Sequence, residues 1–446
     1  MKEAIIVFGA GDNFVHHYSF LQANYHILAI LDNSPGKQGM RFGEAEVVSL
    51  AQMPKDGYEK VIVTPNAFAA IIRQLKEAGV PGEKIFRLAD LTDVSLASRD
   101  CRMAFVLNGG LGDYLISANY LHYLREKYFP EKKFDLYCGT GAVYGEMIFP
   151  MGGMAENRYS VKDEKNVDWA RYALVMKISR YPEIMKADTD VLARFYPEMI
   201  DYLLACQKFR IFHKRFFQPG LMADGQSACL SEIWGVSRMQ QPDIGHILGI
   251  SEEYRYPLPM SGEPEKVLGR YGLRQGAYIT LHRGADARYA QKSVKLWPVE
   301  KYNALLEELR EAYPGLPVVQ LGTEAERYPG MAASSRDLRG RTTLEETGAL
   351  LQGRRVHNDN EGGLVHLRHA IGGSPSVVLF GPTSPIFFGY SENRNLRGEG
   401  CKHWCEWVTD DWQVHCPREF DAPPCMASIS VSMVMEAVKS LEEGHG

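Results

Sequence analysis

Met103-Ala104-Phe105-Val106-Leu107-Asn108-Gly109-Gly110-Leu111-Gly112-Asp113-Tyr114 is the stretch that decides how the chain is read. A run of apolar residues closed by glycines predicts a strand. The glycines predict the turn at its carboxyl end, and Tyr114 to about Tyr128 has the spacing of a long helix. Strand, glycine turn and helix open an α/β unit with a parallel sheet. Glycines in that place let a substrate approach the backbone, and Asp113 falls at the mouth of the crevice beside a helix start. A carboxylate there is kept ionised by the helix dipole and can take a proton from a substrate hydroxyl, or it simply caps the helix.

The same alternation continues in both directions. Upstream, strands at Ala4 to Phe8, His26 to Leu31, Lys60 to Thr64 and Ile85 to Arg87 surround helices at Asn13 to Ala23 and Ala67 to Glu77, and Ser95 to Asp100 is a polar separator. Downstream, Phe134 to Tyr137 and Ala173 to Lys177 are later strands of the middle sheet, and Pro182 to Phe217 has a mostly helical pattern. After the connector Tyr256 to Pro264 come strands at Tyr278 to His282, Pro317 to Leu321, Arg355 to Asn358 and Ser376 to Phe380. Helices are expected at Glu300 to Glu311, Leu344 to Leu351, from Gly363, and at Ser428 to Leu441. The expected fold class is α/β in three consecutive units: residues 1–95, 101–262 and 265–446, the last with a Cys-rich segment at 401–425.

Composition narrows the function classes. The 446 residues carry 50 Lys+Arg against 55 Asp+Glu, a formal charge of −5, so no global attraction to nucleic acid or anionic membrane is expected. The 45% hydrophobic content is that of a globular protein, and no apolar run is long enough for a bilayer span or a signal-peptide core. A cytoplasmic location follows as the expectation. Lys208 to Phe217 is the one basic and aromatic stretch; it reads as an amphipathic element or as a peripheral membrane contact at the inner face.

Three features of the last unit describe a diphosphate cradle. His282-Arg283-Gly284 ends its first strand, Lys292 and Lys295 lie on the next loop, and Glu361-Gly362-Gly363-Leu364-Val365-His366 opens a helix. Free N–H groups at a helix start, with a lysine and an arginine across the crevice, hold an anion. Taken singly, the glycines are turn residues, Lys295 is a solvated lysine and His366 a core histidine. At the N-terminus, Gly9-x-Gly11 after a strand with Asp32 about twenty residues on has dinucleotide-fingerprint spacing, but Phe14 stands where the third small residue belongs. That loop reads as a nucleotide-type scaffold or as a true NAD site.

Of eight cysteines, Cys101, Cys138, Cys206 and Cys229 are scattered, while Cys401, Cys405, Cys416 and Cys425 fall together. In a long chain with no secretion signal, such a cluster reads as a structural Zn or Fe site, as free buried thiols, or as disulfides.

Gly-Leu-Gly-Asp at 110–113, Lys295-Leu296-Trp297-Pro298, Val319-Gln320-Leu321-Gly322, Asp337-Leu338-Arg339-Gly340 with Thr342-Thr343-Leu344, Glu361 to His366, and Phe380-Gly381-Pro382-Thr383 occur in this order. The set resembles the heptosyltransferase-like glycosyltransferases of family nine, over about residues 102 to 446. The resemblance implies a GT-B fold of two Rossmann-like domains, here preceded by a third Rossmann-like domain of nucleotide-binding type. It implies an inverting transfer of a heptose or related sugar from a nucleotide-sugar to a glycan, lipid-linked or protein hydroxyl, with no cofactor needed for catalysis. In it Asp113 is the catalytic base and Lys295 the phosphate contact; Glu361, Gly363 and His366 match the acidic Gly-x-x-His motif, in which Gly362 replaces a hydroxyl residue. Gly322, Thr343 and Leu344 then line the nucleoside end, with Arg283 on the leaving charge. The Cys segment resembles the tail of members that modify proteins and carry an iron-binding finger, and a homo-oligomer is among the expected partners. The competing readings are an NAD(P)-dependent oxidoreductase or epimerase working through Gly9, Gly11 and Asp32, and a non-catalytic nucleotide-sugar or glycan-binding protein.

Overall fold

Alternating inward residues of the first strands build both faces of the first sheet. β1 (Glu3–Phe8), β2 (Tyr25–Leu31), β3 (Arg41–Phe42), β4 (Ala45–Val48), β5 (Lys60–Val63) and β6 (Ile85–Arg87) stand in the order β3-β4-β2-β1-β5-β6. Ile5, Val7, Ile30 and Ile62 join one core with Phe14 and Leu21, while Ile6, Phe8, Leu31 and Val61 join the other with Ile71 and Leu75. Burial on two faces is why these strands read as unbroken apolar runs. Phe14 lies on α1 (Asp12–Asn24); it fills its core edge-on to Phe42 at 4.9 Å instead of allowing close helix–strand approach. The helix expected from Ala67 is α2 (Phe68–Glu77).

The architecture is that of a computed structural model that describes residues 2–65, 68–88, 102–150, 153–161, 164–178, 181–214, 235–258, 263–284, 289, 292–327, 336–406, 408–409 and 411–443. Cys101, Cys229, the separator 95–100 and Arg215 to Phe217 lie outside the described residues. Met1–Arg102 with Asp168–Tyr172 forms one compact unit, and Met103–Val167 with Ala173–Gly446 the other.

The second unit holds two sheets. β7 (Met103–Leu107), β8 (Phe134–Cys138), β9 (Ala155–Ser160), β10 (Leu174–Ile178) and β11 (Pro182–Ala187) are ordered β11-β10-β7-β8-β9. β11 corrects the helical expectation for this stretch: Glu183-Ile184-Met185-Lys186 pairs antiparallel with β10. Helix begins only after Asp188, whose carboxylate accepts the Val191 N–H at 3.1 Å. α3 (Leu111–Tyr128) starts three residues before the expected Tyr114, which places Asp113 inside its first turn; α4 (Thr189–Phe195) and α5 (Pro197–Phe212) follow.

The third sheet is parallel throughout: β12 (Ile279–His282), β13 (Val318–Leu321), β14 (Arg336–Asp337), β15 (Val356–Asn360), β16 (Ser376–Phe380) and β17 (Arg394–Arg397), ordered β14-β13-β12-β15-β16-β17. α6 (Val299–Ala312), α7 (Leu344–Gly353), α8 (Gly363–Ala370) and α9 (Val431–Glu443) accompany it. Trp297, Leu305, Leu309, Val434 and Val438 pack with Ile279, Val318, Val356 and Val377, closing α6 and α9 over one face. Crossovers on parallel strands direct every helix start after a strand to the carboxyl edge of the sheet, where ligands bind in such folds. Among the described residues no helix is long and apolar enough to cross a membrane.

Candidate active site

The first turn of α3 is shaped by glycine. Gly109 has φ +128°, and a Cβ on it would lie 2.7 Å from the Cβ of Asp113. Its absence lets the Asp113 carboxylate fold back, so that Oδ2 accepts the Gly110 N–H at 2.9 Å. Asp113 therefore caps its helix, as one reading of the sequence had it. Its other oxygen, Oδ1, is ion-paired with the guanidinium of Arg238. The Arg238 side chain is only 5% exposed and lies 5.7 and 5.6 Å from the rings of Phe387 and Phe388. Its Nε is buried without a hydrogen-bond partner among the described residues. Sequence reading missed Arg238, because an arginine in a turn-rich stretch after an uninformative segment carries no spacing signal.

The second part of the site forms where β15 runs into α8. Glu361 is ion-paired with Lys295 and accepts the Thr383 hydroxyl at 3.1 Å. Burial by itself would raise the Glu361 carboxyl, but Lys295 beside it holds it below its ordinary range. Gly362 caps α8 in extended backbone and contributes no side-chain hydrogen bond, so the helix-start N–H groups have no hydroxyl cap. His366 is buried one turn along, with Nδ1 against the Tyr390 hydroxyl at 2.5 Å. Burial, reinforced by Arg238, pushes the imidazole down to about 4, so His366 is neutral at neutral pH.

The starts of α3 and α8 abut. A Cβ on Gly112 would strike the His366 ring, and one on Gly363 would lie 3.2 Å from the Leu111 Cβ. The contact places Asp113, Arg238 and Glu361 close enough for their charges to act on His366. The carboxylate of the middle glycine turn and the Lys295–Glu361–Gly363 cradle thus share one site.

Other expected donor residues are placed elsewhere or otherwise engaged. Arg283 donates from Nε to the Trp297 carbonyl at 2.8 Å and, with Lys292, lines a cleft of about 720 Å³ whose other wall includes His415, Cys416 and Phe420. Thr343 accepts the Glu346 N–H at 3.1 Å and donates its own N–H to the Glu346 carboxylate at 2.9 Å, a capping box that starts α7 just before Leu344. Gly322, at φ +135°, leaves room for the Glu326 carboxylate, and its carbonyl accepts the Gly340 N–H at 2.8 Å.

Beneath these loops lies a charge network that sequence reading did not see. His282 is held between Asp359, at 2.6 Å from Nδ1, and Glu326, at 3.3 Å from Nε2, while His357 contacts the second Asp359 oxygen at 3.2 Å. Burial would lower the His282 imidazole, but the two carboxylates raise it to about 10. A spacing-based search finds none of this, because Asp359 reaches His282 from the neighbouring β15 and Glu326 from the turn Glu324–Glu326 that follows β13.

In the N-terminal unit, Gly9, at φ +103°, packs against Thr64 and Pro65, and Gly11 caps α1. The Asp32 carboxylate accepts the Ala10 N–H at 2.8 Å, accepts the Ser34 N–H at 2.8 Å, and lies 3.3 Å from the Lys37 ammonium. The protein's own groups therefore engage both oxygens of the carboxylate that would hold a ribose.

Cys401, Cys405, Cys416 and Cys425 are free thiols. Burial, then the neighbouring Cys425, Cys416 and Cys401, pushes Cys405 up to about 12. Against burial, the His403 N–H and Arg418 pull the Cys401 thiol below its ordinary value. The four sulfurs thus sit near enough to affect one another, although no three of them lie within 4.8 Å of one another among the described residues.

Residues 283–406 match the family model of glycosyltransferase family 9 (heptosyltransferase). Residues 1–86 match the model described as C2185-like, N-terminal. The chain is similar to dodecameric iron-containing heptosyltransferase TibC in complex with ADP-D-beta-D-heptose, at 15% identity and TM-score 0.50, over 78% of either chain. TibC is known from enterotoxigenic E. coli H10407. E. coli ADP-heptose lps heptosyltransferase II aligns at 15% identity and TM-score 0.47, over 77% of this chain and 99% of that one. A family 9 glycosyl transferase from Veillonella parvula aligns at 14% identity and TM-score 0.47, over 77% and 98%. The chain matches no curated protein. Its fold is the GT-B fold preceded by an additional N-terminal domain.

Proposed function

We propose that this chain is an inverting glycosyltransferase that moves a heptose or related sugar from a nucleoside diphosphate to a hydroxyl of a surface glycan or a protein. The observation that carries this reading is the abutment of the α3 and α8 starts, which brings the Asp113 carboxylate to the Lys295–Glu361–Gly363 cradle. ADP-heptose is the first donor to test, because TibC binds ADP-D-beta-D-heptose.

In this mechanism Asp113 accepts the proton of the acceptor hydroxyl as that oxygen attacks the anomeric carbon. The bond from that carbon to the diphosphate oxygen breaks on the opposite face, so the configuration inverts through an oxocarbenium-like state. Lys295 and the N–H groups at Gly362 and Gly363 take up the charge of the departing diphosphate, each contributing about 2–4 kcal/mol in a preorganised, dry cleft. Arg238 keeps the Asp113 carboxylate charged and aimed, at some cost in basicity. Arg283 adds a cation at the cleft it shares with Lys292.

The four thiols are a donor set of the chemistry that a structural Zn or Fe ion takes, being free of disulfides, soft, and mutually unfavourable as thiolates until a cation draws them together. Cys401, Cys405, Cys416 and Cys425 would hold it, and it would staple the loop that leads into α9.

A thermal-shift panel of ADP-, GDP-, UDP- and CMP-sugars with NAD(P)H, on wild type and Lys295→Ala, tests the reading. Stabilisation by one sugar nucleotide that disappears in Lys295→Ala is expected; a response to NAD(P)H alone contradicts it.

A further inference from the structure

A cluster outside the transfer site has the makings of a second metal centre. Within the N-terminal unit, His16, His17 and Asp168 each present one ligand atom, and these atoms all lie within 4.8 Å of one another. His16 and His17 are neighbours on α1, so ideal helix geometry would turn their side chains well apart; their rings instead stand 5.0 Å apart at 70°. Asp168 arrives from a part of the chain about 150 residues away and caps the short turn Trp169–Arg171, one oxygen accepting the Ala170 N–H at 3.0 Å. Its other oxygen lies 3.0 Å from His17 Nε2.

The hydrogen bonding of His17 sharpens the case. Nδ1 lies 2.8 Å from the Asn13 carbonyl oxygen, which can only accept, so Nδ1 carries the proton. Nε2 then faces a carboxylate oxygen that also can only accept. Two states satisfy this arrangement: an imidazolium, or a neutral imidazole whose Nε2 lone pair and the facing carboxylate share a cation. An Nδ1–H held by a backbone carbonyl is the usual support of a metal-bound imidazole. Two imidazoles and one carboxylate form a borderline donor set that suits Zn²⁺ and leaves an open fourth position.

We propose that His16, His17 and Asp168 bind a divalent transition ion of the Zn²⁺ type, which fastens the 168–172 turn to α1. The site is separate from the four-cysteine cluster, and it gives the N-terminal unit a structural role independent of any nucleotide.

The test is metal stoichiometry on the full chain. Protein stripped with chelator is titrated with Zn²⁺ by calorimetry and with Co²⁺ by absorption, for wild type, His16→Gln, His17→Gln and Asp168→Asn. Circular dichroism and the Co²⁺–thiolate charge-transfer band report that each variant is folded with its cysteine cluster unchanged. The proposal expects wild type to bind, besides any ion held by the thiolates, one equivalent that adds no thiolate band and that is lost in all three variants. An equivalent that survives in any one of them, or wild-type binding through thiolates alone, overturns it and leaves His17–Asp168 as an ion pair only.

Discussion

Asp113 makes two demands on its neighbours, and glycine meets both. Gly109 gives room for the carboxylate to turn back onto the Gly110 N–H, and Gly112 gives room for the His366 ring from α8. An alanine at Gly112 gains helix propensity but collides with a fully packed imidazole, so Gly112→Ala is expected to destabilise by about 1–3 kcal/mol, read as a lower denaturation midpoint. Asp113→Asn keeps the size of the side chain and loses its basicity. Transfer is expected to fall by about 10²- to 10⁴-fold with donor-induced thermal stabilisation retained, measured as turnover against thermal shift. Arg238→Met breaks the ion pair while filling the space beside Phe387 and Phe388. It is expected to slow transfer less than Asp113→Asn does, as the carboxylate loses the cation that aims it, measured as turnover.

Among the elements, β12, β13 and β15 carry the clearest pH signature. His282 titrates at about 10 in the folded chain against 6.5 ordinarily. Its contribution to stability is therefore complete below pH 6.5 and is lost as the pH rises through about 10. The melting temperature of wild type is expected to fall over that window. His282→Gln, lower at neutral pH because Asp359 and Glu326 lose their cation, is expected to lack the fall. His366 works in the opposite sense: buried neutral with its imidazole at about 4, it costs stability as the pH drops from 6.5 toward that value. The elements differ in how far the sequence revealed them. Met103–Leu107 and Ser376–Phe380 were legible to the residue, because strands buried on both faces are continuous apolar runs ended by glycine. β3, β14 and β17 were not, since short polar edge strands owe their pairing to a neighbour. β11 was read as helix, because its few residues merged with the true helices behind it. In the site, Asp113 and Glu361 were legible as glycine-flanked carboxylates where a strand runs into a helix, and Lys295 through the Lys-Leu-Trp-Pro stretch on its loop. Arg238 and Glu326 were not, since each is placed by folding alone.

At the scale of the whole molecule, the proposed reaction would divide the work: one sheet of the second unit would present a base, the other a seat for a diphosphate, and an ion on the cysteine loop would stiffen the second. Chelation of the ion proposed on Cys401, Cys405, Cys416 and Cys425 is expected to lower the melting temperature without abolishing donor binding, as calorimetry on treated and untreated protein would show. The most direct test of the central claim is a paired measurement on Lys295→Ala and Asp113→Asn, taking ADP-heptose affinity by calorimetry together with single-turnover transfer. The account predicts that Lys295→Ala loses affinity and that Asp113→Asn binds like wild type yet transfers sugar about 10²- to 10⁴-fold more slowly. Wild-type transfer by Asp113→Asn, or unaltered donor affinity in Lys295→Ala, would contradict it.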